Sequence, residues 1–257
     1  DYLFDKKQNP QNKDFLTNLE IAQLSQILRP AHPEILMRLI ESALERIVDA
    51  NQSPSYAESE VDGCQIQACP VLANLSLAVF EMTEDKSFLK RVFPALRHFL
   101  FACLPPHWDS SNTHFPYWES PDLLQLDSGL FSFDPWSEHG RGLDIHSIAS
   151  PALGAMLYQE TNALIKMAAI LGDEDNLSQF KYLERNLKKV IQNFWQEHHP
   201  CFTYLDRQSL QNPQEEWAQQ GSIENTIKIS QDFEQPQRLH LQLITQDDST
   251  RACKIHL

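Results

Sequence analysis

Twice along this chain, two long segments of helical periodicity meet across a short polar break, a pattern that predicts antiparallel helical hairpins. Residues 70–83 are joined to 86–104 through Thr83-Glu84-Asp85, and Pro105-Pro106 stops the second helix. Residues 150–171 are joined to 176–197 through Asp173-Glu174-Asp175. Ser150 is the expected cap, Pro151 a first-turn residue and Gly172 the stop. Phe180, Leu183, Leu187, Val190, Ile191 and Phe194 mark one apolar face of the last helix. Two more helices are expected upstream, at 14–29 and at 33–50 with Pro33 in its first turn. Residues 51–64 read as a polar loop.

Glycine is scarce, at 7 residues, and the long runs rich in Leu, Ala and Glu favour helices over a β-rich fold. Hydrophobic residues make up 42%, enough for an ordinary core in a chain of 257 residues. The character changes after residue 208: 223–230, 238–245 and 251–257 alternate with period two and read as strands. The expected fold is therefore mainly α. Hairpin after hairpin suggests a helical toroid, followed by a short β-rich segment, the start of a β-sandwich. The domains are residues 1–220 and 221–257, with the boundary near Gly221. The start without Met and the stop inside a strand lead us to expect a piece of a longer protein. A helical solenoid is the structural alternative, but the two hairpins differ in length and share no repeat consensus.

The formal net charge of -14 works against a nucleic-acid partner, because an acidic surface repels phosphate backbones. It is compatible with a neutral partner such as a sugar, though acidity mostly reports on solubility. No apolar stretch is long enough for a membrane span. The five cysteines do not look like a disulfide framework, which favours reduced thiols and a cytoplasmic setting. Metal ligation is not expected: His107 with His114, and His198-His199, lack the His-x-x-x-His spacing of helical metal sites. No cofactor is expected.

Residues 105–148 stand apart. They lack sustained periodicity and are rich in Trp, Pro, His, Ser and Asp, a combination that favours a functional loop over a disordered one. Trp108, Trp118 and Trp136 offer aromatic faces for sugar rings. Asp109, Glu119, Asp122, Asp127, Asp134, Glu138 and Asp144 offer carboxylates for proton transfer. Any one of these acids, taken alone, reads more readily as a solvated loop residue or a helix cap than as a catalytic group. Tyr158, Glu160 and Asn162 interrupt an otherwise apolar helix, which points to hydrogen bonds between helices.

Several stretches together resemble the six-hairpin glycosidases, the nearest groups being glycoside hydrolase family 63, the amylo-α-1,6-glucosidase (debranching) enzymes and the trehalases. The stretches are Gly142-Leu143-Asp144-Ile145, Ser150 to Glu160 with its Tyr-x-Glu, and Leu164 to Gly172. Phe194-Trp195 and Phe202-Thr203-Tyr204-Leu205-Asp206-Arg207 follow in the order those families use. Upstream, Gln65-Ile66-Gln67-Ala68-Cys69-Pro70 and Glu84-Asp85-Lys86-Ser87-Phe88-Leu89 are similar to the corresponding family stretches. The resemblance covers about residues 60–207.

It implies that the hairpins form a partial (α/α)6 toroid, and an inverting hydrolysis of an α-linked glucoside or related sugar. One carboxylic acid protonates the leaving oxygen while a second carboxylate, roughly 6.5–9.5 Å away, activates water. The general acid of those families follows a Trp-containing loop, which here points to Asp127 in Gln125-Leu126-Asp127-Ser128-Gly129, with Asp122 and Asp134 as rivals. Gln125 stands where the families usually have Gly, and the Asn-Pro or Ser-Pro that should follow is missing. Substrate contacts are expected from Trp108, Trp118, Glu119, Trp136, Asp144 and Gln65. The general base of those families is a Glu from a late loop. No partner for Asp127 is evident in 208–257, so the base is expected beyond Leu257. The β-rich tail shows no aromatic platform and is expected to pack rather than to bind glycan. An inactive sugar-binding relative and a helical scaffold are the alternatives.

Overall fold

The computed structural model describes residues 16–49, 64–66, 68–109, 115–118, 148–197, 200–207 and 210, all of which fall in one compact unit. They build three consecutive helical hairpins, and the mainly helical class read from the sequence holds.

Thr17 starts the first helix. Its hydroxyl accepts the Glu20 amide at 3.2 Å, and the Glu20 carboxylate takes the Thr17 amide at 2.7 Å. This reciprocal box satisfies two amides that a helix start otherwise leaves unpaired, and it sets α1 at Asn18–Ala31, later than the periodicity predicts. Only His32 separates α1 from α2 (Pro33–Asp49). Arg46, in the last turn of α2, donates to the Leu16 carbonyl at 3.0 Å, so α2 runs back along α1.

The next hairpin is α3 (Leu72–Thr83) and α4 (Lys86–Cys103). Glu84 takes the left-handed conformation at φ 54°, and Asp85 caps α4 by accepting the Ser87 and Phe88 amides at 2.9 and 3.1 Å. In the third hairpin, Ser150 Oγ accepts the Leu153 amide at 3.2 Å and Pro151 opens α5 (Pro151–Leu171). Gly172 ends α5 at φ 76°, a conformation a Cβ would strain, and Asp173 caps α6 (Glu174–Phe194). The caps named from the sequence at Ser150, Pro151 and Gly172 all act as expected.

Antiparallel hairpins stacked side by side bring alternate helices parallel. Cys69 Sγ lies 3.7 Å from Met156 Sδ, and four residues further along both chains the α3 amides meet Glu160, so α3 and α5 run the same way. Arg97 Nη1 meets Asn176 Oδ1 at 3.5 Å, Phe101 stacks on Phe180 at 5.2 Å, and Asn186 Nδ2 donates to the Trp108 carbonyl at 3.2 Å. Those three contacts advance together and make α4 and α6 parallel as well. Helix α3 is the hub: it packs against α1, α2, α4 and α5.

Three two-residue ladders close the ends. β1 (Gln65–Ile66) pairs in parallel with β2 (Tyr117–Trp118). β3 (Ile148–Ala149) pairs antiparallel with β6 (Leu205–Asp206), and β4 (Trp195–Gln196) with β5 (Cys201–Phe202). The segment 105–148, expected to lack regular structure, is thus tied into a ladder near each end. The strands expected at 223–230, 238–245 and 251–257, and the boundary near Gly221, lie outside the described residues. Among the described residues no helix is long and apolar enough to cross a membrane.

Candidate functional site

The parallel arrangement sorts the connections into two groups. At one end the chain makes the tight turns Glu84-Asp85 and Gly172-Asp173. At the other end lie the starts of α3 and α5, the ends of α4 and α6, and the ladders that hold the chain entering and leaving them. Tyr117 and Trp118 are held there by Gln65 and Ile66, and Ile148 and Ala149 by Leu205 and Asp206. Arg207 joins the two ladders. Its guanidinium lies 4.3 Å from the Tyr117 ring centre, and Nη1 donates to the Phe115 carbonyl at 3.5 Å. Buried at 5% exposure, Arg207 is a cation held by an aromatic face and a backbone carbonyl.

Beneath this end sits Glu160. Val71, at the cap position of α3, has no side chain that can accept a hydrogen bond, and Pro70 precedes it. Glu160, from the middle of α5, supplies the missing acceptors: Oε2 takes the Ala73 amide at 2.7 Å and Oε1 the Asn74 amide at 2.8 Å. A carboxylate at a helix start also meets the favourable end of the helix dipole. Burial nonetheless pushes the Glu160 carboxyl up to about 7, against the downward pull of the two amides. With 3% exposure it reaches no solvent, and its role is to lock α5 to α3. Tyr158 does a similar task on the other side of α5, donating to Glu184 of α6 at 3.0 Å, while Asn162 bonds back to the Tyr158 carbonyl at 2.9 Å. The hydrogen bonding between helices expected of Tyr158 and Glu160 is found, whereas Asn162 bonds within its own helix.

Two buried thiols feel the Glu160 charge. Cys69, just before α3, is pushed up to about 12 by burial and by the Glu160 charge. Cys103, the last residue of α4, is also held above the usual thiol range, by burial first and then by the neighbouring Cys64 and the Glu160 charge. No disulfide joins the described cysteines, and among the described residues no group of three His, Cys, Asp or Glu is placed to hold a metal ion.

Three buried aromatic rings form a column. Trp108 meets Phe115 at 6.2 Å and Phe115 meets Phe194 at 6.0 Å, both edge-on. Gly154 of α5 lets the column approach: a Cβ there would stand 3.0 Å from the Phe194 ring.

Of the residues expected to contact sugar, Trp108 is 0% exposed and Trp118 is 2% exposed, so both are core side chains rather than an open platform. Trp108 gains its place through its ring contact with Phe115 and its carbonyl bond from Asn186. Gln65 pairs through its backbone with Tyr117. Asp127, Asp122, Asp134, Glu119, Trp136 and Asp144 lie outside the described residues. Two residues with structural roles at this end, Glu160 and Arg207, are not among the expected site residues. The missing cap before α3 was a readable sign that some other residue must serve it. An exposed aromatic pair, Trp195 and Phe202 at 43% and 55% exposure, faces out of the β4–β5 hairpin with rings 5.1 Å apart.

Comparison with known proteins returns no match: no protein-family model, curated protein or solved structure matches the chain.

Proposed function

We propose that the chain is part of a glycoside hydrolase of six-hairpin type, acting on an α-glucoside or related α-linked sugar by inverting acid–base chemistry in a cytoplasmic setting, with its hairpins belonging to an (α/α)6 toroid. The observation that supports this reading is the pair of anchors Trp118 and Ile148. Both lie at the end of the bundle where α3 and α5 start, and the stretch that carries Asp127 runs from one to the other. Asp127 is the proposed general acid. The partner base is proposed to come from a part of the protein beyond Leu257. Glu160 is excluded from the acid–base pair because it is buried and both its oxygens are engaged by amides.

A second reading, a helical scaffold without a sugar site, draws on the inward packing of Trp108 and Trp118. The two are separated by assaying the full-length protein and its Asp127→Asn variant on maltose, isomaltose, trehalose and glucosylglycerate. Turnover abolished in the variant supports the hydrolase and Asp127. Turnover that survives moves the acid to Asp122 or Asp134. Sugar binding by calorimetry without turnover favours an inactive relative, and neither binding nor turnover favours the scaffold.

A further inference from the structure

The outer face of α6 runs against the charge of the chain, whose formal net value is -14. From Lys181 to the helix end the exposed positions are Lys181, Arg185, Lys188, Lys189, Gln192 and Asn193, with no acid among them. At 3.6 residues per turn the four cations fall within about 100° of arc, opposite the buried face of Phe180, Leu183, Leu187 and Val190. Glu184, the acid nearest to them in the helix, is half-buried and takes the Tyr158 hydroxyl at 3.0 Å. The described ion pairs, His32 with Glu34 and Arg91 with Glu41, take none of the four. Helix α6 then runs directly into β4, where Trp195 and its cross-strand partner Phe202 are 43% and 55% exposed. Their rings cross at 68°, which makes a wedge suited to a side chain rather than a flat shelf suited to a sugar ring. Two turns of helix, roughly 10 Å, separate Lys188 from Trp195, so a single partner segment spans both.

We propose that this face of α6 and the β4–β5 hairpin form a docking surface for an acidic polypeptide segment of another protein. Its carboxylates meet Lys181, Arg185, Lys188 and Lys189, and its apolar anchor packs against Trp195 and Phe202. Charge complementarity selects this occupant. Charges act over about 8 Å at physiological salt, so a segment lying along α6 meets the four cations and not the net charge of the molecule. A neutral glycan makes no use of the cations. An anionic membrane presents a far larger surface, which the net charge of -14 repels. The aromatic anchor supplies most of the affinity, and the charges supply selectivity and speed of encounter.

The test pans a display library of random peptides on the full chain, after depletion on the chain carrying Arg185→Glu and Lys188→Glu. Peptides of about 16 residues are long enough, as helix, to follow α6 from Lys181 past Trp195. The expected result is enrichment of peptides that combine several Asp or Glu with Leu, Phe or Trp. In fluorescence anisotropy their affinity falls about tenfold or more in the Arg185→Glu, Lys188→Glu chain, and about fivefold or more in Trp195→Ala or Phe202→Ala. It also falls as salt is added, and Lys90→Glu, exposed on α4, leaves it unchanged. Replacing the acids of the peptide with amides repeats the loss without touching the protein, so the result stands even if a variant misfolds. Binding that Lys90→Glu weakens as much, or a library that enriches no acidic peptide, overturns the proposal. The surface then belongs to a glycan if maltoheptaose protects Trp195 from acrylamide quenching, to a membrane if phosphatidylserine vesicles sediment the chain, or to a second copy if self-association is lost in Trp195→Ala.

Discussion

Glu160 Oε2 accepts the Ala73 amide at 2.7 Å, so a residue in the middle of α5 caps a helix to which it does not belong. Glu160→Ala should leave the Ala73 and Asn74 amides without their acceptor and open a void in the core. We expect a loss of about 2–5 kcal/mol, read as a lower urea midpoint. Amide exchange at the first turn of α3 should accelerate more than at its last turn.

The same carboxyl makes stability fall as pH rises. Its value in the fold, about 7, lies above the ordinary 4.5, so the folded chain holds a proton that the unfolded chain releases. The contribution is neutral below about 4.5, grows unfavourable between 4.5 and 7, and is complete above 7. At about 1.36 kcal/mol for each pH step, that gap is worth about 3 kcal/mol. Urea unfolding at pH 5 and pH 7.5 should show the difference, and Glu160→Gln, which cannot ionise, should flatten it.

Gly154 sits in a helix interior, where alanine would ordinarily gain about 1 kcal/mol. Here a Cβ meets the Phe194 ring at 3.0 Å, and that ring is itself held by Phe115. Gly154→Ala should therefore destabilise by about 1 kcal/mol and Gly154→Val by about 3 kcal/mol. Adding Phe194→Leu to Gly154→Val should recover part of the loss, giving a coupling that a double-mutant cycle measures.

Pro94 lies inside α4 on its exposed face and cannot donate to the preceding turn. Pro94→Ala should restore that bond without touching the core. Thermal unfolding is expected to shift upward, corresponding to about 1–3 kcal/mol.

What was legible in the sequence follows the range of the forces involved. The hairpins were legible because a helical period, a capping Ser150 and a terminating Gly172 act over a few residues. The start of α1 lies later than the periodicity predicts although the sign is local: Thr17 and Glu20 stand at capping-box spacing. Helix α3 starts at Leu72, later than the expected Pro70, and its cap comes from another helix. The β1–β2 and β3–β6 ladders are two residues long and join distant parts of the chain, so no alternation announces them. Trp108 and Trp118 show the limit of composition. A cluster of tryptophans in an aperiodic stretch carries no mark of which way each ring turns, and these two turn inward.

The amides of Ala73 and Asn74 wait for a partner more than eighty residues further along the chain. At about 5–20 residues per second, a ribosome delivers Glu160 roughly 4–15 s after α3 has been made. Until then the nascent α3–α4 hairpin frays at its first turn and offers its apolar faces to whatever is nearby. The third hairpin is thus the step that commits the second, and a peptide ending before α5 should depend on a chaperone rather than fold alone.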